Sequence, residues 1–439
     1  MQNNQKWNTL ILCLLIVTSF ILGMQVNTVG VKKVWAQTFS NTNTSDSSAS
    51  VTKSQLKSVQ LFHNAYGLLL NNYVDPIDNA DEITYAAIRG MVVPLNDPYT
   101  RFLDPKEYAD FNNDTEGHFE GIGATLVTDI APAVLEAQGK GLTCPICGTD
   151  VSDLSAYRVL VVNTIKGSPA EKAGLLPGDH ITKIDDKPTL GMTTTDAANN
   201  IRGPIGTKVV LTIVREGIKE PFTVTVTRGT IETESVEHKM IDKSIGYLKI
   251  SSFNEKTTEG VSEAIKEFNE KDAKGMVLDL RSNPGGLVYS CLEVAGMIMP
   301  PNKDIVVYLK NRNGKMEPYK KIMHSKNIFD KPFVILTNGG SASASEILTG
   351  MCKDYGLAQV VGEKTFGKAM VQEVHRLDQA KAALIITTAR YYTPSGFDLN
   401  KKGLEPDIVV KLDKGTRTLS ERDNQATKAI EILKKEMQQ

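Results

Sequence analysis

FVILTNGGSASASEILTGMCKDYG, residues 333–356, is the stretch whose reading decides the fold. FVILT (333–337) is a short run of apolar and β-favouring residues, the pattern of a buried strand. A turn of small and polar residues follows, and from Ser345 to Tyr355 apolar residues recur at helical spacing. A serine nucleophile needs this setting. Small neighbours expose its oxygen, and the N-terminus of a helix favours the negative charge that develops during attack. The plainer reading, a strand-to-helix connection closed by a serine N-cap, stands beside it.

Outward from this stretch the alternation repeats. Strands are expected at 247–250, 275–280, 359–362 and 383–389, and helices at 258–269 and 287–299, which is α/β architecture. Residues 120–228 read differently, as short strands (121–126, 158–162, 180–184, 208–215) punctuated by Gly and Pro, with brief helices at 171–173 and 195–201. That is a small β domain. Ahead of it, 54–73 and 83–93 carry helical periodicity, and a turn at Asp97 to Thr100 leads into Arg101, Phe102 and Leu103. Residues 417–437 close the chain as a charged, amphipathic helix suited to docking or dimerisation.

The chain has 439 residues, room for about three domains. With 41% hydrophobic and 23% charged residues it is a folded chain, not a disordered one. Fifty basic residues against fifty-one acidic give a net charge of −1, so no global field draws in nucleic acid or anionic lipid. Five cysteines are too few for a disulfide framework at this length, so stability comes from hydrophobic cores.

The N-terminal segment carries Lys6 and then an apolar run from Thr9 to Met24, a signal h-region or a short membrane anchor. Cleavage after Ala36, with Val34 at the −3 position, would fall well past the run, which favours an uncleaved anchor; the chain is expected outside the cytoplasm, membrane-anchored or secreted. Cys13 lies inside the run with no small residue before it, and reads as apolar filler. Residues 38–50 are almost all small and polar, a flexible tether.

A nucleophilic serine needs a base. His63, His118, His180 and His238 lie outside the α/β region and His324 lies in a charged loop, which leaves His375 as the histidine nearby. Lysine is the other route, because desolvation lowers the pKa of an amine. Lys368, after the strand QVVGE (359–363) and the turn residue Gly367, is the candidate. A second loop, DLRSNPGG (279–286), also joins a strand to a helix, and its glycines Gly285 and Gly286 offer backbone amides to an adjacent oxyanion. NPGG is also an ordinary turn.

GSASASEI (340–347), VVGEKTFGKAMVQ (360–372) and DLRSNPGG together resemble the carboxyl-terminal processing proteases, tail-specific serine peptidases with a Ser/Lys dyad. RYYTPSG (390–396) and GLEPDI (403–408) extend the match, GSPAEKAGLLPGD (167–179) is similar to a PDZ module, and DPYTRFL (97–103) and FEGIGA (119–124) resemble the approach to that module. The resemblance covers roughly residues 55–412. It implies a PDZ-like domain at 118–230 and an α/β core of the Clp protease/crotonase-like type at 231–412; with the segments read from composition, signal or anchor 1–36, linker 37–53, N-terminal helical region 54–117 and C-terminal helix 413–439, the expected fold is α+β and multidomain.

Carried over by position, the family's nucleophile falls on Ser343, 25 positions before the lysine, and the base on Lys368. The family's glutamine falls on Gln372 and would orient the amine. Gly285, Gly286 and Ala344 would hold the oxyanion; Ser341 and Ser345 become structural neighbours, with Ser345 the expected helix cap. The PDZ-like domain implies capture of a substrate's C-terminal tail by the loop Gly121, Ile122, Gly123 and Ala124, with Arg202 a candidate to relay the domain's position. Protein substrates and a homodimer are the implied partners.

Two departures stand out. YYTPSGFDLN (391–400) replaces a more basic stretch, so the groove near Phe397 differs from the family's. An insertion, 127–157, contains TCPICGTD; Cys144 and Cys147 resemble half a zinc ribbon, but a structural zinc needs four ligands. A local disulfide or free thiols on one side, and a zinc shared between two subunits on the other, remain open; no other cofactor is expected. Two rival functions are carried: a catalytically silent protein that binds tails through the PDZ-like domain, and a penicillin-recognising acyltransferase suggested by SQLK (54–57), which lacks any K-T-G partner.

Overall fold

In the computed structural model the described residues are 53–128, 159–189, 192, 194–241, 243–413 and 423–438. The N-terminal apolar run, the tether, and Cys144 and Cys147 with most of their insertion lie outside these. No helix among the described residues is long and apolar enough to cross a membrane. The chain divides into two compact units, one made of residues up to 108 together with 370–389, the other of 109–369 and 390 onward.

The first unit begins with the helices Lys53–Asn72 and Ala80–Val92. Asn79 caps the second by accepting a hydrogen bond from the Asp81 amide, and the Tyr66 hydroxyl lies 3.0 Å from Thr84 Oγ1. The strand Arg101–Leu103 runs antiparallel to residues 383–385 of the long strand Ala382–Tyr392. The Thr387 amide donates to Thr100 Oγ1 at 3.0 Å. This pairing draws 370–389 into the N-terminal unit, although their place in the sequence is inside the expected 231–412 core.

Within the second unit, the β domain is built on strands Ala124–Thr128, Val159–Thr164, His180–Ile184, Lys208–Val214 and Phe222–Thr227, hydrogen-bonded in that order. Lys208–Val214 alternates exposed and buried residues, as a half-covered antiparallel strand must, and Val209, Leu211 and Ile213 are fully buried. Among the described residues Ala124–Thr128 is an edge strand. A two-stranded ribbon, His118–Gly121 with Gly229–Glu232, frames the domain's entry and exit.

The α/β core holds a six-stranded sheet in the order Val236–Met240, Ile245–Ile250, Gly275–Asp279, Phe333–Thr337, Ala358–Gly362 and Ile408–Val409. All neighbours are parallel except the first pair. Every residue of Gly275–Asp279 and Phe333–Thr337 is buried, which is why these strands read as unbroken apolar runs: central parallel strands are covered on both faces. On one face the helix Asn424–Glu436 packs Ala429 and Leu433 against Tyr247, Val277 and Val334. A fully buried Leu such as Leu433 contributes about 1.5–3 kcal/mol. Three adjacent parallel strands end side by side, so the loops 280–287, 338–343 and 363–369 emerge at one sheet edge, where open α/β sheets hold their ligands.

Candidate active site

The five residues SASAS separate by what their side chains do. Ser341 is fully buried; its hydroxyl donates to the Leu280 carbonyl at 2.8 Å and accepts from the Asn338 amide. Ser345, also buried, donates to the Asn283 carbonyl at 3.0 Å. Both tie this turn to the neighbouring loop. Ser343 is half-buried and stands at the N-cap of the helix Ala344–Asp354, with φ 55° and ψ −116°. Ser345 was the expected cap; it lies instead inside the first helical turn, its hydroxyl spent on the adjacent loop.

A non-glycine residue at such a positive φ carries strain of about 1–3 kcal/mol and persists only where its surroundings over-determine it. Glu346 supplies that restraint. Its side chain is fully buried, and Oε2 accepts the amides of Ser343 and Lys368, each at 2.9 Å. Oε1 accepts the Gly367 amide at 2.7 Å and the Thr365 hydroxyl at 2.6 Å. Burial pushes the Glu346 carboxyl above the usual carboxylate range, against the pull of these four donors. From the other side the Tyr391 hydroxyl donates towards the carbonyls of Ser343, at 3.1 Å, and Lys368. Nucleophile candidate and base candidate are thus fixed by their backbones to the same two side chains.

Asn283 organises the second loop. Its Nδ2 donates to the Ile250 carbonyl at 2.8 Å, and its own carbonyl accepts the Ala342 amide. Its Oδ1 accepts the Gly285 amide at 2.8 Å, so that amide is committed and does not face an oxyanion as expected. The amides of Gly286 and Ala344 have no hydrogen-bond acceptor among the described residues. Gly285 has φ 102°, and a Cβ there would lie 2.7 Å from Ser343 Cβ and 2.9 Å from the Ala344 nitrogen. Gly286 passes so close to Phe253 that a Cβ would stand 2.0 Å from its carbonyl oxygen.

Gln372 belongs to the other unit, where its Nε2 donates to Thr387 Oγ1 at 3.2 Å. His375, on the same strand, faces Glu373 at 3.7 Å. His118, His238 and His324 each face a carboxylate of their own surroundings, Glu116, Glu267 and Glu293, and His63 is exposed on the first helix.

In the β domain, Gly123 has φ 75°, and a Cβ would meet Ser168 Cβ at 2.5 Å. The Ile122 carbonyl accepts the Ala170 amide, and the Gly123 carbonyl accepts the Ile165 amide. Because the peptide is planar and trans, the Gly123 N–H points away from Ala170. Exposed Arg202 holds its guanidinium 5.9 Å from the centre of the Phe119 ring. It also offsets, through its charge, the upward push that burial gives the Asp114 carboxyl. Cys291 and Cys352 are buried free thiols, and no metal-holding group occurs among the described residues.

Residues 244–410 match peptidase family S41, residues 160–215 match the PDZ domain, and residues 20–107 match the activating protease CtpB N-terminal domain. A carboxyl-terminal-processing protease of Synechocystis sp. is 35% identical over 378 residues, covering 84% of this chain and 82% of its own. The chain belongs to peptidase family S41. It is a serine peptidase of the C-terminal-processing type with a PDZ domain, acting on proteins. The carboxy-terminal processing protease CtpA of Bacillus subtilis is 34% identical over 79% of this chain and 68% of its own. Among solved structures, an S41 protease of Bacteroides fragilis aligns with TM-score 0.54 at 15% identity, over 84% of this chain and 96% of that one, a likeness of fold. Within the S41 frame, the residue that sequence reasoning passed over is Glu346. The spacing S-x-x-E from Ser343, a capping-box signature, was the signal that could have found it.

Proposed function

We propose that this S41 peptidase cleaves by serine acyl transfer, with Ser343 as nucleophile and Lys368 as general base. Neutral Lys368 takes the hydroxyl proton while Ser343 Oγ attacks the scissile carbonyl carbon. The oxyanion is received by the amides of Gly286 and Ala344, with Gly285 shaping the hole through its bare α-carbon. The tetrahedral intermediate collapses with loss of the C–N bond, Lys368 returns its proton to the departing amine, and a water deprotonated by Lys368 hydrolyses the ester. Gln372 orients the amine. This chemistry needs no metal or cofactor. The observation that carries the reading is the strained, half-buried Ser343 whose amide shares one buried carboxylate oxygen with the amide of Lys368.

Substrate tails are taken up by the PDZ domain, extending along the edge of Ala124–Thr128 that has no strand partner among the described residues, with the terminal carboxylate against the amides around Gly121, Ile122, Gly123 and Ala124. Arg202, stacked on Phe119, relays tail occupancy to the segment that enters the domain. The same reading puts the enzyme outside the cytoplasm, tethered by its N-terminal segment, as a homodimer. Leu61 and Leu68, 72% and 65% exposed on the first helix, support a protein partner there.

The test follows cleavage of an unstructured reporter polypeptide with an apolar free C-terminus by wild type, S343A and K368A. Cutting by wild type alone is expected. An undiminished rate in K368A would overturn the lysine base and turn attention to His375. Silence of all three with tail binding intact would favour the tail-binding protein.

A further inference from the structure

Arg281 follows the central strand Gly275–Asp279 and is 2% exposed, the largest fully buried side chain in the protein among the described residues. All five of its guanidinium N–H groups are matched. Nε and Nη2 donate to Asp279, Nη2 also to Asp423 Oδ2 at 2.9 Å, and Nη1 to Asp423 Oδ1 at 2.9 Å and Gln425 Oε1 at 3.0 Å. Asp279 is held in turn by the Tyr247 hydroxyl at 2.6 Å. The two acceptors from the far end of the chain have a second task. Asp423 caps the helix Asn424–Glu436 by accepting the Ala426 amide, and Gln425 donates to the Val410 carbonyl.

Beyond Arg281 the backbone turns through Ser282, a non-glycine residue at φ 59°, and reaches Asn283, which sets the Gly285 amide and the path of Gly286. Further along, the turn is held by Asn338, which accepts the Ser282 amide, and by Ile250, whose carbonyl accepts Asn283 Nδ2, while its starting point is held through the Arg281 side chain and the carboxylates that grip it. We infer that Asp423 is a positioning residue for hydrolysis: through Arg281 it orients the loop that presents the Gly286 amide to the oxyanion. The inference rests on the Ser343 reading given above. The helix therefore has two separable attachments, an apolar face against the sheet that gives stability and a carboxylate at its cap that aims the loop.

Those attachments can be tested apart on the full chain. Asp423→Asn keeps the side chain's shape and removes its charge, whereas Ile432→Ala removes only apolar contact from the same helix. With the reporter polypeptide as substrate, D423N should lower kcat at least about tenfold, since small misplacements of catalytic groups cost that much or more, with KM within about twofold. I432A, although it lowers the thermal midpoint, should keep the wild-type kcat below its own transition. Gln425→Ala serves if D423N does not fold, and should lower kcat by about threefold to tenfold. Equal kcat in D423N and wild type beside a silent S343A would overturn this inference alone, as would a change confined to KM. An active S343A would overturn the Ser343 reading and this inference with it.

Discussion

Ser343 and Lys368 hang from one oxygen: their amide nitrogens both lie 2.9 Å from Oε2 of Glu346. A carboxylate is the one side chain that can accept from four donors at once, and here it joins a strained serine to the loop that carries the lysine. The two backbones are held together before substrate arrives.

Glu346→Gln replaces one acceptor by a donor that faces N–H or O–H groups. We expect kcat to fall by about 100-fold or more with little change in KM. The unfolding free energy should drop by about 1–3 kcal/mol, the cost of leaving a buried polar group unmatched. Steady-state kinetics with a denaturant titration checks both, and a variant near wild-type kcat would refute the anchoring role.

The same carboxyl gives a pH dependence. Burial raises its pKa, so on lowering the pH it takes up a proton before an exposed carboxylate would, and a protonated oxygen can no longer accept from all its donors. The acid limb of kcat should therefore lie above the ordinary carboxylate range. The Thr365 hydroxyl pulls the pKa down, so Thr365→Val should move that limb to higher pH. A pH–kcat profile in the two proteins decides; a limb that stays put or moves to lower pH in the variant would contradict the assignment.

How much of this was legible depends on distance along the chain. FVILT and the strand before DLRSNPGG were readable because burial on both faces leaves an unbroken apolar run. The choice among three serines rested on the family resemblance and not on the local pattern. Ser341 and Ser345 are occupied by carbonyls about sixty residues away, at Leu280 and Asn283, and sequence spacing alone carries no trace of that. The amide of Gly285 looked as available as that of Gly286 until Asn283, two residues earlier, was found to hold it. Arg281 and Asp423 stand 142 positions apart, so neither announces the other. Residues 383–389 read correctly as strand, yet the partner of 383–385, Arg101–Leu103, lies far upstream.

Gly285 offers a test of the oxyanion side. At φ 102° an L-residue is strained, and the added methyl would collide with Ser343 Cβ and the Ala344 nitrogen. Gly285→Ala should reduce hydrolysis by about 100-fold to 1000-fold, the loss typical of a disabled oxyanion hole. Tail affinity, measured by calorimetry with a peptide ending in a free carboxylate, should stay within about twofold, since the PDZ domain has its own core. Parallel loss of both would mean that the substitution unfolds the chain instead.

Gly123 tests the other site in the same manner. Its positive φ and its closeness to Ser168 leave no room for a side chain, so Gly123→Ala must displace the loop from which the Gly123 and Ala124 amides are expected to meet a tail carboxylate. A charge-assisted hydrogen bond is worth about 1.5–3 kcal/mol, so the loss of one such bond predicts tail affinity about tenfold to 100-fold weaker. The corresponding rise should appear in KM for a tailed reporter. For a reporter whose C-terminus is amidated, which offers no carboxylate to lose, wild type and variant should be cut alike. If the variant is slowed equally on both reporters, the loop acts on the peptidase core and not on the tail, and carboxylate capture at Gly123 would have to be abandoned.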